Sequence, residues 1–295
     1  MPELPDVTVY IEALERRIVG APLERVRIAN VFVLRTFDPP IDAAEGRIVV
    51  ALHRSGKRIL WELDGGLFLV LHLMIAGRLR WREKGTTIPK KLGLAAFDFP
   101  TGTLLLTEAG TKKRASLHLF ADRDSALTLD RGGIEVMDLP LPAFREALLR
   151  EDHTLKRTLT DPRIFSGIGN AYSDEILHHA RLSPILLTRK MTDEQIARLH
   201  ASTFHVLDLW LQRLREEVGD GFPEKVTAFR EDMAVHGRFK KPCPDCGAPV
   251  QRIQYASNET NYCARCQTEG RVLADRSLSR LLKGDWPKSI EELEH

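Results

Sequence analysis

Cys243-Pro244-Asp245-Cys246 and Cys263-Ala264-Arg265-Cys266 confine all four cysteines of a 295-residue chain to 24 consecutive positions. A CxxC turn lets two thiolates grip one ion, and a second pair 16 residues further on completes a tetrahedral shell, which is the set zinc accepts. Gly247 suits the turn at the first knuckle. Clustering of this kind reads as a metal site in a reducing compartment rather than as a disulfide framework. Four thiolates leave no open coordination position, so the Zn2+ is structural and the hairpin it holds carries the function. Arg252 and Asn258 lie between the pairs, placed for a phosphate backbone or equally for a protein partner.

The rest of the chain changes its pattern twice. Residues 5–20 place Val9, Leu14 and Ile18 near helical spacing with charge opposite. From about 26 to 129 short β-type runs take over, at 47–51, 58–63, 67–72, 95–99 and 103–107. Asp64-Gly65-Gly66 and Thr101-Gly102 mark hairpins between them. Helical patterns return at 143–149, 154–159 and 170–180, the last after Ser166-Gly167-Ile168-Gly169. Thr192-Asp193-Glu194-Gln195 has capping-box form and opens a long helix towards Glu217. A basic tail follows the cysteines, with partial helix expected over 271–283. The fold class is therefore α+β and multidomain, with parts at 1–130, 131–235, 236–270 and 271–295. Net charge is only +2, yet residues 236–290 carry ten Lys/Arg against five Asp/Glu. The start has early acids and no apolar core, unlike a secretion signal, and no run approaches membrane-span length. A cytoplasmic location is expected.

Pro2 becomes a free amino terminus if Met1 is removed, which a small second residue favours. Amino-terminal amines titrate at roughly 7.7–8.0, so part of the population holds the free electron pair a nucleophile needs. A secondary amine attacking a sugar C1′ gives a charged iminium, a strong electron sink. Glu3 is positioned to move protons to the sugar oxygen and the amine. Read alone, Pro2-Glu3-Leu4-Pro5 merely precedes a helix, since a dipeptide is too short to be specific.

Pro2-Glu3-Leu4-Pro5-Asp6-Val7 together with the terminal CxxC–x16–CxxC resembles the formamidopyrimidine-DNA glycosylase/endonuclease VIII family. The resemblance continues in order through Lys57 in Ser55–Leu63, His72–Arg80, Lys156, Gly167–Tyr172 and Val235–Arg238, spanning roughly residues 2–270. It implies an N-terminal helix plus β-sandwich, a helical helix–two-turn–helix domain and a C-terminal zinc-finger hairpin. It implies a monomeric glycosylase with AP-lyase activity on double-stranded DNA bearing damaged bases or abasic sites, in a bacterial-type, nucleoid-associated setting. Pro2 would be the nucleophile, Glu3 the general acid/base and Lys57 a phosphate contact near the lesion. Asn170 at a helix start and Lys156 would take further phosphates. The damaged nucleotide would be flipped out and its place filled by a side-chain wedge.

The sequence departs from the family pattern in four places. Met74 and Ile75 stand where the family's duplex loop has Gly and Met, and either serves as an apolar wedge. The family's Pro-Arg-Arg-Phe-Gly turn has no clear copy in Glu108–Leu117, where Lys112, Lys113 or Arg114 is expected to take over. Asn258 replaces an arginine, which removes the ionic part of a phosphate contact. The stretch 217–238 is short, so no 8-oxoguanine preference is inferred. The competing readings are a non-catalytic relative that binds damaged DNA, an unrelated zinc-ribbon adaptor, and an N-terminal-proline enzyme acting on small molecules, which leaves the zinc finger unexplained.

Overall fold

Val7, Tyr10, Ile11, Leu14 and Ile18 recur at three- and four-residue intervals and are all buried, which makes α1 (Leu4–Ile18) the lid of a core. Pro5 sits in its first turn, where a missing N–H costs nothing, and Asp6 accepts the Glu3 N–H at 2.9 Å. The computed structural model describes residues 1–227, 229–255, 258–274 and 288–293. Two compact units partition the chain: Met1–Arg131 with Trp210–Thr227, and Gly132–Leu209 with Ala228–His295.

The first unit is a sandwich of two antiparallel four-stranded sheets. One has the order β2 (Val49–Ser55), β3 (Arg58–Leu63), β4 (Phe68–His72), β8 (Ser116–Phe120). The other runs β1 (Arg25–Ile28), β6 (Gly93–Phe99), β7 (Gly102–Glu108), β5 (Gly77–Arg82). Period-two alternation sets their inner faces: Ile59 pairs Leu71, which pairs Leu117, and Trp61 pairs Leu69, which pairs Leu119. Phe97 opposite Leu104 and Ala95 opposite Leu106 line the facing sheet, and Trp61 meets Phe97 edge-on at 5.1 Å. The outer face of β3 and β4, with Leu60, Phe68 and Val70, is closed over Ala126 of α2 (Arg123–Leu127). Each buried leucine or isoleucine here contributes roughly 1.5–3 kcal/mol.

Residues 210–227 join this unit, unlike the expected partition at 130/131. Leu211 and Leu214 pack on Val9, Val226 enters the main core, and Phe222 lies 5.8 Å from Tyr10. Glu224 takes both guanidinium nitrogens of Arg82, at 2.7 and 3.0 Å. Four sandwich strands differ most from the sequence expectation: β2 begins and ends later than 47–51, and β1, β5 and β8 are not among the runs it marks out. Arg78, Arg80 and Arg82 alternate in β5 as a polar outward row, so no long apolar run advertises it.

The second unit opens with β9 (Ile134–Glu135), parallel to β10 (Phe165–Ser166), and the helices α3 (Leu141–Leu149), α4 (Leu155–Thr160), α5 (Asn170–His179) and the part of α6 (Asp193–Val218) up to Leu209. The expected capping box is formed: the Gln195 N–H donates to Thr192 Oγ1 at 3.3 Å and the Thr192 N–H to Gln195 Oε1 at 3.0 Å. Phe144 stacks on Phe165 at 4.9 Å. The chain then forms the hairpin of β11 (Gln251–Tyr255) and β12 (Asn258–Tyr262), followed by α7 (Ala264–Thr268). Beyond Ala274, the helix expected over 271–283 lies outside the described residues.

Candidate active site and metal centre

In the first unit the site gathers at the head of α1. Pro2 and Glu3 are both buried, Glu3 at 2 % exposure. Burial holds the pKa of the adjacent chain-terminal amine below its ordinary 8.0; Glu3 and Asp6 pull it up, Arg78 and Lys57 pull it down. The pocket therefore favours an unprotonated amine and sets carboxylate and cationic groups around it. Lys57 reaches this neighbourhood from the two-residue turn between β2 and β3, where Ser55 pairs Arg58. Gly56, at φ +59°, supplies the left-handed first position that such a tight hairpin needs.

The loop between β4 and β5 spans only residues 73–76, shorter than the 72–80 stretch the sequence marked out. Its Leu73 carbonyl accepts the Gly77 N–H at 2.9 Å, and a Cβ on Gly77 would lie 2.2 Å from that oxygen. Arg78 fastens the loop, donating to Ile75 O, Gly77 O and, at 2.5 Å, Val226 O. Ile75 is 57 % exposed at the tip, whereas Met74 adopts φ +51°. A non-glycine residue there is strained by roughly 1 kcal/mol. Met74→Gly should therefore raise the unfolding free energy by about 0.5–1 kcal/mol in urea titrations; a decrease would show that the Met74 side chain stabilises more than its backbone costs.

His72 ends β4, next to Arg58 and Lys57. Burial, then Arg58, Lys57 and His118, lower its pKa from 6.5 to about 4. It is thus neutral at pH 7. A folded pKa below the unfolded one means stability present above pH 6.5 that is lost as pH falls towards 4. NMR titration should give a midpoint near 4 for this ring, and a midpoint above 6 would contradict the burial argument.

Lys112 and Arg114 are exposed on the loop between β7 and β8, but Lys113 is not. Its ammonium donates to the Glu108 and Lys91 carbonyls, so it props the loop from inside. The buried Glu108 carboxylate accepts the Arg114 and Ala115 N–H groups at 2.8 and 3.0 Å. Of the three cations, Lys112 and Arg114 are the ones the loop presents to solvent.

In the second unit, Lys156 and Asn170 border one cavity of about 580 Å3, with Arg157, His153, Ile253 and Thr260. Asn170 opens α5 as expected, but the cap position is Gly169, and Asn170 Nδ2 instead donates to Glu259 O of β12 at 2.8 Å. For Lys156 the resemblance implied a phosphate contact. Its ammonium is held by Asn170 O at 2.6 Å, Ser173 Oγ at 2.8 Å and the Asp174 carboxylate, so it is 13 % exposed. Asp174 also accepts His236 Nδ1 at 2.8 Å and the Asn261 N–H at 3.1 Å. Glu175 accepts the N–H groups of Ala234, Val235 and His236 at 2.7, 2.9 and 2.9 Å. Sequence reading missed Asp174, Glu175, Arg78 and Glu108. The signal for the first two was an acidic pair inside a helix opened by glycines. The side chain of Asn258 lies outside the described residues, and its backbone pairs Tyr255.

All four cysteine sulfurs lie within 4.8 Å of one another, with Cys243–Cys266 at 3.9 Å and Cys246–Cys263 at 3.4 Å. Zinc–sulfur bonds of about 2.3 Å put tetrahedral sulfurs about 3.8 Å apart, so the cage fits Zn2+. Burial, with the neighbouring thiolates, pushes the Cys263 thiol up to about 12, so the set needs a cation before all four can ionise. Protons compete with the metal for these sulfurs. Zinc transfer to a colorimetric chelator should accelerate as pH falls from 7 to 5, with the far-UV signal of β11 and β12 lost in step; a pH-independent rate would argue against thiolate ligation.

Residues 1–118 match the model of the formamidopyrimidine-DNA glycosylase N-terminal domain, 136–217 that of its H2TH domain, and 240–268 the zinc finger found in FPG and IleRS. A formamidopyrimidine-DNA glycosylase of Thermus thermophilus is 33% identical over 279 residues, covering 92% of this chain and 100% of that one. The chain belongs to the formamidopyrimidine-DNA glycosylase family. The Heliobacterium modesticaldum glycosylase is 32% identical, with 90% of this chain and 100% of the relative covered. Wild-type Lactococcus lactis Fpg, solved with oxidised-pyrimidine DNA, aligns with TM-score 0.76 and 25% identity over 90% of this chain and 100% of that one. In the family's layout the α1 pocket falls in the N-terminal domain, and the Lys156–Asn170 cavity is bordered by H2TH and zinc-finger residues. Among the described residues no helix is long and apolar enough to cross a membrane.

Proposed function

We propose that this chain is a base-excision-repair DNA glycosylase with AP-lyase activity, acting as a monomer in the cytoplasm on duplex DNA with oxidised bases or abasic sites. The observation that carries the reading is the pocket at the head of α1, where Pro2 and Glu3 are both buried and burial already depresses the pKa of the Met1 amine next to them. With Met1 removed, the Pro2 nitrogen gives its electron pair to C1′ of a flipped nucleotide, and the C1′–base bond breaks. Glu3 protonates O4′ as the sugar ring opens, leaving an iminium between Pro2 and C1′. Loss of a C2′ proton into that electron sink expels the 3′ phosphate, and a second elimination expels the 5′ phosphate. Water then releases the amine. Lys57 and Arg78 neutralise charge around the reacting centre. Lys112, Arg114, Asn170 and the region of Asn258 are assigned to the DNA backbone, and Lys156 to positioning the α5 terminus. Ile75, exposed beside strained Met74, is the better wedge of the two.

Borohydride trapping on a duplex with one abasic site tests the reading. The Met-free, zinc-loaded protein should give a covalent adduct mapped to Pro2 and nick the strand. A folded protein that binds the duplex but gives neither adduct nor nick would leave a non-catalytic damage binder.

A further inference from the structure

We propose that the second unit carries a separate anion-binding pocket, built on Arg181, Arg198 and Arg271, that takes a phosphate group. A cavity of about 510 Å3 lies among the end of α5, the start of α6 and the end of α7, with these three arginines, Ser183 and Gln267 in its wall. Among the described residues Glu269 is the one carboxylate in that wall. Among the described residues no carboxylate pairs with any of the three guanidiniums, unlike Arg82, Arg163, Arg189 and Arg215, each of which has an acidic partner. Three like charges around one cavity repel one another until an anion enters.

Arg181 stands where its backbone is strained. The Arg181 N–H donates to His178 O and the Leu182 N–H to Leu177 O, both at 3.0 Å, which closes α5 with a Schellman motif. Its left-handed residue, at φ +52°, is Arg181, in a position that glycine fills without strain. An arginine kept there is explained by what its side chain does. Arg198 Nε donates to Ala180 O at 2.7 Å, which fixes that guanidinium at the same helix end. Gln267 braces the wall, donating to Leu182 O at 2.9 Å and accepting the Cys263 N–H at 2.8 Å. Ser183 also lines the cavity, and among the described residues its buried Oγ has no hydrogen-bond partner, which leaves a hydroxyl able to donate to an oxyanion. Guanidinium forks plus a hydroxyl match phosphate oxygens, and the volume admits a phosphorylated group larger than the bare ion. The pocket is distinct from the Lys156–Asn170 cavity. Pro184, Ile185 and Leu187 line that one, whereas Leu182, Ser183 and Leu186 line this one.

The test is calorimetric titration of the zinc-loaded full chain with sodium pyrophosphate at low ionic strength. Saturable one-to-one binding is expected, weakened about tenfold in Arg181→Gly and in Arg198→Gln and tightened in Glu269→Gln. Arg181→Gly should at the same time raise Tm, because glycine relieves the left-handed position. A second arm follows lesion-free duplex binding against salt. If the phosphate comes from nucleic acid, the variants lower the slope of log K against log salt by about one. If it comes from a free phosphorylated molecule, duplex affinity is unchanged while pyrophosphate binding falls. No saturable pyrophosphate binding, or binding that both arginine variants leave intact, overturns the proposal. Nicking of an abasic duplex is read separately, so this pocket and the glycosylase reading fail independently.

Discussion

Pro2→Leu should abolish borohydride trapping. A bulky second residue keeps Met1, and the amine then sits one residue away from the position that Glu3 serves. The adduct yield should fall more than about 100-fold, while affinity for a duplex bearing a non-cleavable abasic analogue stays within about threefold. Glu3→Gln keeps the shape of the pocket and removes its proton carrier, so strand nicking should drop about 10²–10⁴-fold. Pro2→Gly leaves a primary amine and should trap weakly rather than not at all. Burial holds the Met1 amine below its ordinary 8.0, and Pro2 is itself buried, so burial is expected to lower the Pro2 amine as well and to bring the midpoint of the rising limb of kcat/KM against pH below 8. A limb at or above 8, or full trapping by Pro2→Leu, would show that another group is the nucleophile.

How much of this was readable in advance depends on how far apart the cooperating residues lie. Pro2, Glu3 and the four cysteines were legible because their chemistry is carried by adjacent or closely spaced residues. Lys57 was legible only through the family resemblance, since read alone it is an ordinary solvated strand lysine. The state of Lys156 was not, because Asp174 captures it from 18 residues away and only the folded α4–α5 pair brings them together. Arg78 looked like one more charge in a polar row, and its partner Val226 O is 148 residues distant. Lys113 and Arg114 are neighbours in sequence, yet the buried Glu108 segment sends one inward and leaves the other in solvent.

The second large effect falls on Glu175. Its carboxylate is 5 % exposed and satisfies three successive N–H groups from Ala234 to His236, beside Val235 in the core of the zinc hairpin. Glu175→Leu strands those three donors and should cost about 3–5 kcal/mol in chemical denaturation, with faster zinc release. Glu175→Gln keeps one acceptor oxygen and should cost roughly half as much. Burial raises the Glu175 pKa above its ordinary 4.5, partly opposed by those N–H groups. A raised folded pKa means the proton is bound more tightly in the folded state, so this residue's stabilisation is full below pH 4.5 and is lost as pH rises through the folded value. Glu175→Gln should remove that part of the pH dependence. Equal stability of wild type and Glu175→Leu would show that water serves the three donors instead.

The membership of residues 210–227 in the first unit has a temporal consequence on the ribosome. The sandwich strands are all synthesised by residue 120, yet Val226 of its core, and Leu211 and Leu214 over Val9, are still to come. At about 5–20 residues per second, the 95 positions from Arg131 to Val226 take roughly 5–19 s. Through that interval the nascent sandwich waits with part of its apolar surface uncovered, and Arg82 waits for Glu224. A fragment ending at residue 131 would remain in that waiting state permanently, so the catalytic half is inherited as a unit only with the far end of α6 attached.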